Sequence, residues 1–366
     1  MAATIWGTGE ILPGMDVAVY CEENGRRIVT QKATISPCNH VEGDWEVTLP
    51  PQVGGAVCDI QIVGGDEEVG LKKVLFGDVW FCSGQSNMAL SMNRIENATE
   101  EIAASARYTD IRYSIVKRQA MPEEQDDAIL VIPWSSPDDA DHLAYMSATC
   151  FLFARYIYDQ LGVPIGLVDS AVGGTHIEAW SNTNALNECE IPNHIDEEHP
   201  NNSNSYLWNS MVAPFRRMTL KGFLWYQGES NMGYNQDKYN CTFPALIDTW
   251  REEFSARSSS QADSPFGFVQ LSTIKFGTES LSFSHIRHHQ TADYDFVPNQ
   301  RMQNVFMAVA VDTYDEENGI HPRYKQVIGE RLGITGMNVA YGNENFPSFG
   351  PKLREFFMNV SVIIFL

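Results

Sequence analysis

Apolar residues over the first 73 positions recur in short alternating runs, a pattern typical of half-buried β-strands. Residues 16–20 and 45–49 are two such runs, and Gly- and Pro-rich turns separate the runs. No residue type or spacing in this stretch indicates catalysis. We therefore predict a small β-rich accessory domain over residues 1–73.

Beyond residue 73 the apolar runs lengthen, and each one ends in a polar, Gly-rich loop. Between them, apolar side chains at helical spacing predict helices over 143–161 and about 244–254. Five runs are long enough for buried parallel strands; they cover 74–81, 165–168, 222–226, 266–271 and 305–311.

This alternation of strands and helices predicts an α/β fold in which a doubly wound parallel sheet is the middle of three layers. We place this domain over residues 74–345 and assign residues 346–366 to a C-terminal tail. Ligands of such sheets bind at the carboxyl ends of the strands, so we expect the site in the loops after the five runs.

The loop after the first run carries a candidate nucleophile. Ser86 lies where the strand is expected to turn into a helix, so its hydroxyl would be exposed near N–H groups that favour negative charge. A serine in such a place is, by itself, more often a helix N-cap. Ser86 therefore needs a partner before it can be assigned to catalysis.

The loop after the fifth run supplies a partner, His321, with Pro322 at the expected first turn of the next helix. Both loops leave the same edge of the predicted sheet. A neutral imidazole there could take the proton of the Ser86 hydroxyl and pass it to a leaving alcohol. A histidine beside a helix start would otherwise be an ordinary surface residue.

Two further loops offer donors for an oxyanion, beside the backbone N–H of Ser86. The paired glycines Gly173 and Gly174 let backbone N–H groups approach a tetrahedral intermediate. Gln227 and Asn231, after the third run, offer side-chain amides. A nucleophile, a base and donors on four converging loops predict a serine hydrolase.

Charge and composition exclude several other classes. The formal net charge of −22 disfavours nucleic acid and anionic membranes as partners. It also weakly opposes the binding of an anionic substrate. No apolar run is long enough to span a membrane. The seven cysteines include no C-x-x-C pair, which argues against zinc-ribbon and thioredoxin-like sites.

Four N-x-S/T sequons suit a secreted or lysosomal glycoprotein; they begin at Asn97, Asn201, Asn240 and Asn359. In an oxidising compartment some cysteines would pair, and their odd number would leave at least one over. The first residues show no signal peptide. A cytosolic form is therefore an alternative.

Several blocks of the chain together closely resemble sialate O-acetylesterases, within the SGNH-hydrolase superfamily. The blocks are FGDVW (76–80), SGQSNM (83–88), GGT (173–175), IEAW (177–180), LKG (220–222), WYQGESN (225–231), YNCTFPALI (239–247) and IHP (320–322). The resemblance covers about residues 4–345. It implies a flavodoxin-like SGNH sheet and a secretory or lysosomal serine esterase that acts without a cofactor on acetylated sialic acids or sialoglycans. It also implies flanking segments that this chain lacks, so we expect a truncated or alternative form.

One departure from the family concerns the acid that orients the catalytic histidine. Where many SGNH enzymes have an aspartate, three residues before the histidine, this chain has Asn318, and Gly319 follows. Asp312 and Asp315 are the nearest candidates for this role, with Glu316 and Glu317 beside them. A Ser–His dyad oriented by a backbone carbonyl is the alternative.

Two features near residue 287 offer other chemistry. His285, His288 and His289 invite a metal site, but zinc would need further ligands, and the segment resembles one that borders the family's active site. We therefore expect no metal. Arg287 is a candidate for binding the sialic acid carboxylate, with a structural ion pair as the alternative.

The sequence thus predicts an esterase that hydrolyses O-acetyl esters of sialic acids through an acetyl-serine intermediate. One alternative is an acetylxylan-type carbohydrate esterase on the same scaffold. Another is a truncated, catalytically silent protein that binds glycans.

Overall fold

The protein is described by a computed structural model. It covers residues 2–9, 16–23, 26–34, 36–38, 42–273, 281–350, 356–359 and 362–365. The helices in these residues are α1 (Ala98–Ser105), α2 (Ala140–Leu143), α3 (Ala148–Leu161), α4 (Ile177–Trp180), α5 (Thr183–Glu188), α6 (Tyr239–Arg257), α7 (Leu281–His289) and α8 (Lys325–Val339).

The strands fall into an N-terminal set, a central set and a C-terminal hairpin. The N-terminal strands are β1 (Ala3–Gly9), β2 (Asp16–Glu23), β3 (Arg26–Thr34), β4 (Ser36–Cys38), β5 (Glu42–Leu49), β6 (Val57–Gly64) and β7 (Glu67–Leu75). The central strands are β8 (Asp78–Gly84), β9 (Ile111–Val116), β10 (Leu130–Ser135), β11 (Ile165–Ala171), β12 (Gly222–Tyr226), β13 (Phe266–Gln270) and β14 (Val305–Val309). The hairpin consists of β15 (Phe356–Asn359) and β16 (Val362–Phe365).

The central sheet has the strand order β10-β9-β11-β8-β12-β13-β14. The five predicted strands correspond to β8, β11, β12, β13 and β14, which are parallel and lie in the order 2-1-3-4-5. This is the flavodoxin-like arrangement, so the α/β prediction is confirmed. The sheet is not purely parallel, however, because the unpredicted strands β9 and β10 extend one edge and β10 runs antiparallel.

Some predicted boundaries were wrong for local reasons. Val74 and Leu75 end β7, and the catalytic strand starts only at Asp78. Between them, a Cβ atom at Gly77 would lie 2.0 Å from the carbonyl oxygen of Pro164, so the chain passes too close there for any side chain. Of the predicted helix 143–161, only 148–161 is α3, and Leu143 is the last residue of α2. Helix α3 begins after Ser147 because the side chain of Ser147 accepts from the N–H of Cys150 and caps it.

Helices cover both faces of the sheet, as neighbouring side chains of β8 show. The ring of Trp80 packs on Phe153 of α3, with centroids 4.9 Å apart. The next residue, Phe81, points to the opposite face and contacts Trp250 of α6 at 5.8 Å. Because successive strand residues alternate between faces, both layers bury large aromatic side chains against the nucleophile strand.

The N-terminal strands form antiparallel sheets, β1-β5-β4 and β3-β2-β6-β7. Their inner faces share a small core that includes Val19, Trp45 and Ile60. A disulfide between Cys21 and Cys58 links β2 to β6 within this core.

Two more disulfides lie among the elements around the central sheet. Cys82–Cys150 joins β8 to α3, and Cys189–Cys241 joins the residue after α5 to α6. The side chain of Cys38 lies outside the described part of the structure. In the described ranges, no helix is both long enough and apolar enough to cross a bilayer.

Candidate active site

Strand β8 ends at Gly84, a position that no residue with a side chain can occupy. Gly84 has φ +137°, and a Cβ atom there would lie 2.2 Å from the carbonyl oxygen of Tyr226. Beyond it, the side chain of Gln85 accepts from the N–H groups of Gly228 and Ser230. The turn that carries Ser86 is therefore attached to the loop after β12.

The structure brings Ser86 and His321 together across 235 residues of sequence. Nε2 of His321 lies 2.8 Å from Oγ of Ser86, a hydrogen-bonding distance. Gly319, with φ +57°, turns the chain before the histidine, whose own N–H donates to the carbonyl of Asn318. Nucleophile and base candidates thus lie at one sheet edge, within proton-transfer reach.

The helix starts expected beside these two residues lie further along the chain. Ser86 lies on a single turn closed by the bond from Ala89 N–H to the Gln85 carbonyl, and α1 begins only at Ala98. Helix α8 begins at Lys325 rather than at Pro322. A helix dipole therefore adds little at Ser86, since its effect falls off within the first turn.

The surroundings of His321 favour its neutral form. Burial lowers the pKa of the imidazole, and the positive charges of Lys325 and Arg94 lower it further. In the described residues, no carboxylate pairs with the ring. At neutral pH the imidazole is therefore unprotonated, as a general base must be.

Gly173 lies against Ser86 in a position suited to an oxyanion donor. A Cβ atom placed on Gly173 would lie 3.3 Å from Cβ of Ser86. Within the described ranges, the backbone N–H groups of Ser86 and Gly173 have no acceptor. Gly174 follows with φ +74° and open space around it, which fits a turn residue.

The side-chain amides of Gln227 and Asn231 do not fit the predicted oxyanion role. Gln227 Nε2 donates to the carbonyl of Thr175 and to Oδ1 of Asn231. Asn231 Nδ2 donates to Glu178 at 2.9 Å and to the carbonyl of Tyr234 at 3.3 Å. Both residues are fully buried. Their N–H groups are engaged in holding loops together, which corrects the prediction.

A buried polar network that sequence reasoning missed involves the residues that adjoin Ser86 and His321. Asn87 donates from Nδ2 to Glu229 at 2.6 Å and to the carbonyl of Ile320 at 2.9 Å. Its Oδ1 accepts from Nζ of Lys325 at 2.7 Å. The residue after Ser86 therefore fixes the residue before His321.

The charges of this network are unusual because they are buried. Burial lowers the pKa of Lys325 to about 7, against the opposing effect of Glu229 and Asp315. Burial likewise raises the pKa of Glu229, although Asn87 and Lys325 oppose that shift. The ammonium group also lies 4.9 Å from the ring centroid of Tyr226, a cation–π contact.

Neither acid proposed to orient His321 contacts it. Asp315 is buried and accepts from the Nε of Arg323 at 2.8 Å and from backbone N–H groups of its own loop. Asp312 is 59% exposed and forms a two-point ion pair with Arg331. This geometry favours a Ser–His dyad over a triad, with the loop held by Asp315 and Asn87. Orientation of the ring by a backbone carbonyl remains a prediction.

Arg287 and the neighbouring histidines are engaged with nearby groups. Arg287 Nη1 lies 3.5 Å from the carbonyl oxygen of Ser272. His288 and His289 each pair with an aspartate, Asp295 and Asp293. No group of three or more metal-ligating side chains occurs in the described residues. Carboxylate binding by Arg287 remains a prediction.

The sequons lie in different settings. Asn97 and Asn201 are exposed, whereas Asn240 is half-buried in α6 and donates to Asp293 at 2.6 Å. The side chain of Asn359 lies outside the described part of the structure. Glycosylation at these positions remains a prediction, and Asn240 is the least accessible of the three described side chains.

Comparison with known proteins identifies the family of this chain. The family model for a carbohydrate esterase, sialic acid-specific acetylesterase, matches residues 76–333. Sialate O-acetylesterase of Homo sapiens is 41% identical over 368 residues, which are 95% of this chain and 69% of the relative. The Mus musculus protein of that name is 40% identical over 399 residues, and this alignment covers 96% of this chain and 73% of the mouse protein.

A solved structure is also similar. It is a carbohydrate acetylesterase from Xanthomonas citri, with a TM-score of 0.78 and 27% sequence identity. The superposition covers 94% of this chain and 72% of the Xanthomonas chain. The family model spans most of the chain and includes both Ser86 and His321. The chain belongs to the sialic acid-specific acetylesterase family of carbohydrate esterases.

Proposed function

We propose that this protein hydrolyses O-acetyl esters of sialic acids through an acetyl-Ser86 intermediate. The observation that carries the proposal is the 2.8 Å distance between Oγ of Ser86 and Nε2 of His321. A hydroxyl this close to a neutral imidazole is activated as it attacks, because the ring accepts its proton.

In the first half-reaction, Oγ of Ser86 attacks the acetyl carbonyl carbon while Nε2 of His321 takes the hydroxyl proton. The N–H groups of Ser86 and Gly173 stabilise the resulting oxyanion; one such donor contributes roughly 3–4 kcal/mol in the best-studied example. The carbon–oxygen bond to the sugar then breaks, and the imidazolium returns the proton to the sugar oxygen. The products are the free sugar hydroxyl and acetyl-Ser86.

In the second half-reaction, His321 takes a proton from water as the water oxygen attacks the acetyl carbon. Collapse of that intermediate releases acetate and returns the proton to Oγ of Ser86. Burial and the nearby charges of Lys325 and Arg94 disfavour the imidazolium, which helps it give the proton back in both steps.

The family supports sialic acid as the sugar, and the relatives with about 40% identity are named for this activity. An acetylated xylan is the alternative on the same scaffold. Acetate release from O-acetylated sialic acid and from acetylated xylan decides between them. We expect turnover of the sialic acid, absent in Ser86→Ala; turnover of xylan alone would contradict the proposal, and no turnover of either would favour a silent glycan-binding protein.

We further propose a lysosomal or secreted location. Three disulfides and exposed sequons at Asn97 and Asn201 support it, because disulfides persist in oxidising compartments. Glycosidase treatment of the protein isolated from the cells that naturally make it should shift the protein to lower mass. No shift, with activity recovered only from the cytosol, would favour the cytosolic alternative.

A further inference from the structure

A cavity of about 680 Å³ opens beside the loop that carries Ser86. Ala89, three residues after the nucleophile, is one of the residues that line it, and the apolar side chains of Ile115 and Ile132 are others. Tyr145, which is 63% exposed, stands at its margin. A cavity of this size holds a small ligand such as one sugar residue.

Two arginines, Arg94 and Arg118, line this cavity, and no aspartate or glutamate does. The third basic residue of the lining, His142, is already paired with Asp139 at 2.9 Å. In a chain with a formal net charge of −22, a cavity wall with this composition is a local exception. Such a wall attracts an anion in spite of the overall charge.

The guanidinium of Arg118 is held in place beside the oxyanion loop. Its Nε donates to the carbonyl of Ala171 at 3.1 Å, two residues before Gly173. In the described part of the chain, its two terminal nitrogens have no hydrogen-bond acceptor. Its charge acts at longer range on the buried carboxyl of Asp169, where burial raises the pKa and Arg118 opposes that rise. A guanidinium fixed by one nitrogen and open at the other two can bind a carboxylate with little loss of entropy.

Arg94 approaches the same cavity from the short 3₁₀ turn after the nucleophile loop. It forms no ion pair with any described residue, and it lies close enough to His321 to influence that imidazole electrostatically. The two arginines thus place positive charge in one cavity that lies close to the nucleophile loop at Ala89 and to the oxyanion loop at Ala171.

We propose that Arg94 and Arg118 form a subsite for the carboxylate of the substrate and so select anionic acetylated sugars over neutral ones. This rests on the proposed function, and it assigns the carboxylate to a different place from Arg287, which lies at the carbonyl of Ser272. A sialic acid carries its carboxylate on the ring and acetyl groups on its glycerol side chain. In the proposed arrangement the ring would occupy the cavity with its carboxylate at the two arginines, and the acetylated side chain would extend past Ala89 toward Ser86.

The test compares one acetylated sialic acid with its methyl ester, which has the same acetyl group but no negative charge. In Arg118→Gln, we expect the ratio of kcat/KM for the acid to that for the methyl ester to fall about 10- to 150-fold, mainly through KM. Arg118→Lys should recover part of the ratio. Arg112→Gln should leave the ratio unchanged, because Arg112 lies near the start of β9, away from the cavity lining, and its guanidinium is bonded to Ser136.

An equal loss for both substrates, or no loss, would overturn the proposal. A second measurement separates it from the proposed function: calorimetric binding of free sialic acid to the Ser86→Ala protein with and without Arg118→Gln. We expect weaker binding in the double variant, and equal binding would overturn the carboxylate subsite. Full esterase activity of Ser86→Ala would instead contradict the proposed function.

Discussion

The side-chain amide of Asn87 donates to the carbonyl oxygen of Ile320 at 2.9 Å, and each of these residues adjoins one member of the Ser–His pair. The same side chain accepts from Lys325 and donates to Glu229. One buried asparagine therefore joins the loops after β8, β12 and β14. This connection ties together the two loops that carry Ser86 and His321, whose side chains lie 2.8 Å apart.

Replacing Asn87 should weaken both catalysis and folding. In Asn87→Leu, Lys325 and Glu229 lose a buried partner, so we expect the free energy of unfolding to fall by about 2–3 kcal/mol or more. We expect kcat to fall about 5- to 150-fold, because the His321 loop loses its tie. Asn93→Ala, an exposed change on the same loop, is the control. Wild-type kcat and stability in Asn87→Leu would show that the network does not position the site.

The pH dependence of catalysis should report the lowered pKa of His321. With a neutral acetyl ester, we expect kcat/KM to decline at acid pH with a midpoint below 6.5, because burial, Lys325 and Arg94 disfavour the imidazolium. Arg94→Gln should move the midpoint to higher pH, and Arg94→Lys should not. A wild-type midpoint above 6.5, or the same midpoint in the wild type and in Arg94→Gln, would contradict this electrostatic account.

The same shift has a consequence for stability. The folded pKa of His321 lies below the unfolded value of 6.5, so the unfolded state binds more protons between the two. The contribution of His321 to stability is therefore lost as the pH falls from about 6.5 through the folded pKa. Denaturant titrations at several pH values measure this effect. As the pH falls below about 6.5, the free energy of unfolding of the wild type should decrease more steeply than that of His321→Gln, which lacks the titrating group.

Substitution of the two acids should separate loop anchoring from catalytic orientation. Burial acts to raise the pKa of Asp315, but bonds from Arg323, Asn318 and Glu317 outweigh it and lower the pKa to about 2. Asp315→Asn should therefore destabilise the protein by about 1–3 kcal/mol. Asp312→Asn breaks an exposed pair worth at most about 1 kcal/mol.

Neither variant should lose the roughly 10⁴-fold in kcat that follows removal of an orienting acid in the serine-protease example. We expect Asp312→Asn to stay within a few-fold of wild type and Asp315→Asn to show a moderate loss. A 10⁴-fold loss in either, with the fold intact by circular dichroism, would restore a triad.

The disulfide between Cys82 and Cys150 should stabilise the nucleophile strand without entering the chemistry. It joins residues 68 apart in sequence, and the chain-entropy model then gives about 4 kcal/mol. Cys82→Ala with Cys150→Ala should lower the free energy of unfolding by about that amount and leave kcat at low temperature nearly unchanged. Unchanged denaturant stability would contradict this role.

The sequence predicted the five parallel strands and the meeting of Ser86 with His321, because apolar runs and their loops determine which sheet edge each residue reaches. It did not predict β9 and β10. Arg112 and Ser114 interrupt the apolar pattern of β9, and Pro133 interrupts that of β10. A proline suits the edge position that β10 occupies.

The polar residues of the site were harder to assign from sequence. Gln227 and Asn231 have donors suited to an oxyanion, but residue type does not show which acceptors lie nearby. Lys325 offered a signal that could have been used. It lies at helical spacing with Ile328 and Leu332, so the apolar face of α8 carries a buried charge that requires a partner.

Labelling by a serine-directed fluorophosphonate tests the central claim most directly, because it reports activation of the nucleophile without any assumption about the sugar. We predict that the wild-type protein is labelled on Ser86, that Ser86→Ala is not labelled, and that His321→Ala is labelled far more slowly. Labelling that persists in Ser86→Ala, or that proceeds at the wild-type rate in His321→Ala, would contradict the account.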